Sequence, residues 1–300
     1  MILPNYFKQI NLSNTTKGIL NIILAALIFS MMATFIKLSL IYHNVVQVIF
    51  FRSLFASLIL FFFYKLNFFS VNISNYKLHI IRTFLGLSAM FCTFTALQFL
   101  PLSNVSIILF SKIFFIIPLT VYFLGEKIDY SSLFYIFIGF TGIIIILGFE
   151  ADDNNNYFYY FYALLGSFLI ASIKILLKKL SFQEDSLSIQ LWFSLLCCIL
   201  LFVPFLINST SLNYQTTFYI FLATVFSLFA QYFTIEGLKI ANPIKIMPFD
   251  FARVIFATIL GILFFSEEVK ASLFIGALIV IFSGIKLIKK NKTPKSNLIK

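Results

Sequence analysis

The chain has 300 residues, 61% of them hydrophobic and only 11% charged, with a mean hydropathy of +1.00. A soluble domain carries about 25% charged residues, so the composition excludes a water-soluble protein and points to an all-α membrane protein whose solvent is the lipid bilayer. The formal net charge of +11 would suggest a nucleic-acid partner in a soluble chain; here it belongs to the loops, and no nucleic acid is expected.

Residues 1–16 form a short polar segment, read as cytoplasmic. Ten apolar runs follow, at 18–38, 45–64, 79–99, 102–124, 132–149, 158–177, 187–207, 217–238, 244–266 and 271–289. Each is close to the ~20 residues a helix needs to cross the hydrocarbon. No small-residue cleavage site closes the first run, which is therefore read as a retained helix rather than a signal peptide. Residues 290–300 make a basic tail. The connecting loops are short, which leaves no room for an ATPase or a soluble catalytic domain, and the chain contains no Gly-rich phosphate loop. Cys92, Cys197 and Cys198 lie in apolar runs and read as packing residues. His43 and His79 have no second ligand at a metal spacing. Neither a catalytic group, a metal site nor a cofactor is expected, so the chain is not read as an enzyme.

Lysine and arginine sort by side. With the N-terminus inside, fifteen lysines fall at cytoplasmic ends and only Lys37 and Lys270 at outer ends. The acidic loop Glu150, Asp152, Asp153 then lies outside. The asymmetry predicts a multi-pass cell-membrane protein, in a bacterium the inner membrane, with both termini cytoplasmic.

The two halves repeat. ALQFLPLSNVSIILFSKIFFIIPLTVYFLGE, Ala96 to Glu126, aligns without a gap on GLKIANPIKIMPFDFARVIFATILGILFFSE, Gly237 to Glu267. In this register Lys112 falls on Arg253, Glu126 on Glu267 and, upstream, Lys37 on Lys178. Five spans per copy is an odd number, so the second copy crosses in the opposite sense. The expected fold is ten transmembrane helices in two inverted five-helix repeats, 17–149 and 158–289. That architecture belongs to alternating-access transporters, with the site near the midplane between the halves.

Several short patterns carry a family likeness. They are Phe51-Arg52, Ala96-Leu97 before Leu102-Ser103, Pro118, Gly125-Glu126, and Gly139 with Gly142. In the second half they are Gly237-Leu238, Pro248-Phe249-Asp250-Phe251-Ala252-Arg253 and Phe265-Ser266-Glu267. On these the chain resembles the drug/metabolite transporter superfamily, EamA-type. The likeness implies movement of a small organic metabolite across a cell membrane without ATP. The superfamily spans amino-acid and drug exporters, sugar and nucleotide-sugar carriers, riboflavin importers and S-adenosylmethionine uptake proteins. Its usual glycine before the second closing glutamate is Ser266 here, a difference expected to alter only a turn.

The run from Pro248 to Glu268 reads as one apolar helix of spanning length with an acid and a base three residues apart, Asp250 and Arg253, on one face. Ala257 and Gly261 continue that column and are small enough to admit another helix. A charge at bilayer depth costs at least ~2.5 kcal/mol on insertion scales, so such groups face a partner or a polar cavity. Lys112 is equally deep in the fourth span. Lys112 and Arg253 either line a cavity for a carboxylate or phosphate or serve structural pairing, Arg253 with Asp250. Asp250 is either that structural partner or a group that takes a proton or a cationic substrate. Glu236 either pairs with Lys239 at the surface or accepts a proton in the pore. Gln231 and Tyr232 hydrogen-bond substrate or a neighbouring helix. Arg52 is expected to line an outer vestibule, Arg82 to snorkel to lipid phosphate, and Lys174 to belong to the cytoplasmic rim. Glu126 and Glu267 are gate or helix-terminus contacts. The best reading is a secondary transporter of an amino-acid-like or S-adenosylmethionine-like metabolite, coupled to protons or to substrate exchange; an exporter of amino acids or drugs is the alternative.

Overall fold

The structure is a computed structural model, and it describes residues 13–66, 70–71, 73–124, 134–135, 137–142, 144–145, 156–209, 211, 213–268 and 271–290. Glu126, the acidic loop at 150–153 and both terminal segments lie outside the described residues.

Every secondary-structure element among the described residues is a helix. The elements are α1 (Asn14–Ser39), α2 (Val45–Lys65), α3 (Tyr76–Phe99), α4 (Leu102–Phe110), α5 (Lys112–Leu124), α6 (Asn156–Leu180), α7 (Ser186–Asn208) and α8 (Tyr214–Ile240). A short α9 (Pro243–Ile246), a 3-10 turn (Met247–Phe251), α10 (Ala252–Phe265) and α11 (Ala271–Lys290) complete them. Polar residues at the ends of the apolar runs start the helices by accepting otherwise orphaned backbone N–H groups. Ser13 Oγ accepts from Thr16 N at 3.2 Å, Asn44 Oδ1 from Gln47 N at 2.8 Å, and Asn213 Oδ1 from Gln215 N at 3.0 Å. Once started, the helices need no amphipathic stripe, because in lipid every backbone group is satisfied along the helix itself.

Seven helices among the described residues are long and apolar enough to cross a membrane, against ten expected. The fifth expected span, 132–149, lies partly outside the described residues. The ninth is not the continuous helix that its composition suggests: Met247–Phe251 is 3-10 and only Ala252–Phe265 is α-helical. Pro248 has no N–H to continue an α-helical ladder, and the 3-10 turn is the tighter alternative. At 14 residues α10 is too short to cross alone.

The helices pack mainly across the two halves. α1 lies along α8, α3 along α6, α2 along α7, and α4 against α10. Exchanging the halves turns the first of these pairs into the second and leaves the third unchanged, as a two-fold relation between the halves requires. Small residues permit the closest approach: a side chain on Gly18 would meet Ala241 Cβ at 2.8 Å, and one on Gly237 the backbone oxygen of Gly18 at 3.3 Å. One contact recurs in both halves. Lys37 Nζ donates to the carbonyl of Leu100 (2.9 Å), and Lys178 Nζ donates to the carbonyl of Ala241 (3.0 Å). The register that sets Lys37 over Lys178 also sets Leu100 over Ala241.

Candidate functional site

The buried charges gather where the helices break. α4 ends at Phe110; Ser111 closes it with a tight turn, its N–H bonding Ile108 O at 3.0 Å and its hydroxyl meeting Ser167 Oγ of α6 at 2.8 Å. Lys112 is the first residue of α5. In the second half the 3-10 turn ends at Phe251 and Arg253 is the second residue of α10. The repeat register sets Ser111 over Ala252, so the two discontinuities occupy equivalent positions. Interrupted helices at membrane depth are tolerated only where protein or a cavity satisfies the freed backbone groups. Beside this break Ser30 Oγ of α1 also donates to Arg253 O at 3.2 Å.

Asp250, on the 3-10 turn, binds both neighbouring cations. Arg253 Nη2 donates to Asp250 Oδ1 at 3.0 Å, and Lys112 Nζ donates to Asp250 Oδ2. Lys112 is only 1% exposed and Asp250 4%. The Arg253 guanidinium lies 4.3 Å from the centre of the Phe29 ring. Lys112 and Arg253 therefore do not face each other across an open space but share one carboxylate.

Beside this triad lies a cavity of about 150 Å³, lined by residues of α1 to α8 and α10. Five cations line it: Arg52, Arg82, Lys112, Lys174 and Arg253. Two of the expectations for these residues need correction. Arg82 is 2% exposed and faces the interior over the Phe193 ring (4.2 Å), with Nη2 donating to Gln231 Oε1 at 3.3 Å; it does not snorkel to lipid. Lys174 is 7% exposed and lines the cavity near Phe29 rather than a rim. Position along the helix suggested the cytoplasmic ends for both, but the faces they occupy point into the bundle. Arg52 is buried in the same cavity, with Nη1 on Met90 Sδ at 2.5 Å and Nη2 on Ser227 Oγ.

The other expected positions separate. Gln231 lines the cavity and also donates to Ser227 Oγ at 3.1 Å. Tyr232 is 37% exposed and packs edge-on to Phe233. Glu236 accepts from Ser186 Oγ at 2.5 Å. Neither Tyr232 nor Glu236 is among the lining residues. Glu267 lies at one end of the bundle, where it accepts from Leu102 N (2.6 Å), Ser103 N (3.2 Å) and Lys37 Nζ (2.7 Å). Its carboxylate fills the space beside Gly261, which therefore admits this side chain and not another helix. Sequence reasoning missed a further buried pair, His79 with Glu184 at 2.8 Å, where Glu184 also accepts from Ser74 N and Oγ. His79 stands one turn before Arg82, and that spacing was the only local signal. Among the described residues no group of His, Cys, Asp and Glu could hold a metal ion.

Comparison with known proteins agrees with this architecture. The model of the EamA-like transporter family matches twice, over residues 16–148 and 157–288. An S-adenosylmethionine uptake transporter of Rickettsia bellii is 26% identical over 262 residues, covering 84% of this chain and 87% of the relative. A riboflavin transporter of Brucella anthropi is 24% identical over 224 residues, covering 73% and 78%. The pseudopaline exporter CntI of Pseudomonas aeruginosa is 22% identical over 282 residues, covering 92% and 97%. A crystal structure with 13% identity and a TM-score of 0.70 covers 93% of this chain and 99% of its own, and establishes a shared fold.

Proposed function

The chain belongs to the EamA-like transporter family, and from that premise we propose that it is a secondary transporter that moves a small organic metabolite bearing an anionic group by alternating access. In this reading ten spans form two inverted repeats, with both termini cytoplasmic, and substrate binds in the cavity between them. Lys112, Arg253 and Arg52 supply positive charge, Gln231 a hydrogen bond, and Asp250 a charge that substrate or a proton rebalances. Glu267, and Glu126 at the equivalent position, act as gate or helix-terminus contacts.

The observation that carries this reading is the Lys112–Asp250–Arg253 triad, seated at equivalent breaks in the two repeats and bordering a buried cavity. A buried ion group that touches discontinuous helices is costly as pure scaffolding and is the arrangement that binds substrate or a coupling ion in repeat-built transporters. Relatives named for uptake and for export support either direction, and the measurement below reads it.

The test is uptake by proteoliposomes of a labelled panel containing S-adenosylmethionine, amino acids, riboflavin and organic anions, with and without a proton gradient. Saturable uptake of one compound, lost in Lys112→Ala and Arg253→Ala while folded protein stays in the membrane, supports the proposal. No saturable flux of any compound in either direction from folded protein overturns it.

A further inference from the structure

Beyond the triad, the cavity holds a second cationic group that makes no ion pair with a carboxylate among the described residues. Arg52 and Arg82 project from α2 and α3 toward Phe193, Gln231 and Ser227. Their protein partners are all neutral: a thioether, a hydroxyl, an amide oxygen and an aromatic face. The donors are not all used. Arg52 Nε and Arg82 Nε and Nη1 are buried with no hydrogen-bond partner. Lys174 adds a third charge, 5.8 Å from the Phe29 ring centre, with no ion pair among the described residues. The carboxylate of Glu184, which faces the same side of the bundle, is engaged by His79 and Ser74.

Five cations thus line a cavity whose described lining contains no carboxylate, and Asp250 offsets only one of them. Arg52, Arg82 and Lys174 are left without an ion pair among the described residues, around a cavity of about 150 Å³. Buried charge that lacks a counter-charge is strongly destabilising unless a ligand or water replaces the missing hydrogen bonds. Guanidinium groups with free donors are built to take planar or tetrahedral oxyanions. The two poles, Lys112–Arg253 with Lys174 at one end and Arg52–Arg82 at the other, give such a ligand more than one charged anchor.

We infer that Arg52 and Arg82 form an anion-binding pole, with Lys174 a second anchor at the triad end, so that the substrate is an organic oxyanion with two or more negative charges, a phosphate monoester or a di- or tricarboxylate. This deepens the transporter reading and rests on it for the word substrate. An excess of positive charge repels a cationic ligand, so S-adenosylmethionine, with its sulfonium and ammonium groups, is a poor fit despite the name of one relative.

Equilibrium binding to the full chain purified in detergent tests this without requiring transport. The probes are glycerol 3-phosphate, citrate, lactate, methionine and S-adenosylmethionine, read by calorimetry and by thermal shift. The expected result is saturable binding of glycerol 3-phosphate or citrate, at least tenfold tighter than lactate. Whichever of the two binds more tightly assigns the phosphate or the polycarboxylate class. Arg82→Gln and Arg52→Gln should each weaken that binding about tenfold or more, as removal of a charge-assisted hydrogen bond does. Arg82→Lys, which keeps the charge but not the guanidinium fork, should bind more tightly than Arg82→Gln and less tightly than the unaltered chain, and serves if the glutamine variant does not fold. Binding of S-adenosylmethionine or methionine more tightly than either multiply charged anion overturns the inference, as does multiply charged binding that is indifferent to Arg52 and Arg82. Failure of this assay with saturable proteoliposome flux of a neutral or cationic compound sinks the anion pole and spares the transporter; anion binding without any flux does the reverse.

Discussion

Asp250 is the residue whose removal the structure punishes most. It is buried and carries bonds from both Lys112 and Arg253. Asp250→Asn leaves two buried cations without their counter-charge, and breaking a buried pair from one side costs about 3–5 kcal/mol. Lys112→Met removes one charge yet leaves Asp250 with Arg253. Asp250→Asn should therefore lower the thermal unfolding midpoint clearly more than Lys112→Met. Equal losses would mean that the triad is not electrostatically coupled. The Asp250–Arg253 half of this arrangement was legible in the sequence, because residues three apart on a helix share a face. The Lys112–Asp250 half joins residues 138 positions apart, and no local pattern encodes it. The same limit explains Arg82 and Lys174: depth along a helix is readable from position in an apolar run, but the side a residue faces is not when the run is apolar all round.

At the level of elements, the turn after α10 does more than end a helix. Ser266 adopts φ 52°, ψ 36°, the left-handed region that disfavours any side chain. The turn swings Glu267 back over Gly261, so that its carboxylate caps the first residues of α4 and holds Lys37 of α1. Ser266→Gly should stabilise the protein by about 1 kcal/mol, since glycine adopts this conformation without the Cβ clash; a drop in the unfolding midpoint would show that the serine side chain has a role of its own. Glu267→Ala removes a helix cap and an ion pair together. It should cost about 1–2 kcal/mol, more than Glu267→Gln, which keeps part of the capping. Thermal denaturation of the three variants side by side checks both statements. The resemblance, which leads one to expect glycine at this position, pointed to this turn, and the backbone there adopts the left-handed conformation that glycine favours.

For the whole molecule, the pairing of α1 with α8 and of α3 with α6 makes the two halves interchangeable. The turns after α1 and after α6 are then equivalent: the register sets Ile41 over Phe182, and both are exposed, at 64% and 66%. If the repeats are inverted, these two turns open on opposite sides of the membrane. With Cys92, Cys197 and Cys198 replaced by alanine, Ile41→Cys should react with an impermeant maleimide from one side only and Phe182→Cys from the other only. Reaction of both from the same side would exclude an inverted arrangement.

The sequence by itself determined that this is a helical membrane protein, that its halves are copies, and that ionisable groups sit deep within it. Those conclusions need only composition, run length and self-alignment, because lipid leaves the backbone a single economical choice and makes every buried charge conspicuous. Only the tertiary structure decided that Lys112 and Arg253 share Asp250 rather than face each other and that the fourth and ninth spans break at matching points. It alone turned Arg52, Arg82 and Lys174 toward one cavity and left Tyr232 and Glu236 off its lining. The reason is that an apolar helix carries no signature of which face its neighbours cover. The facing of its few polar side chains is settled when helices from opposite halves pack, and that packing joins residues far apart in the chain.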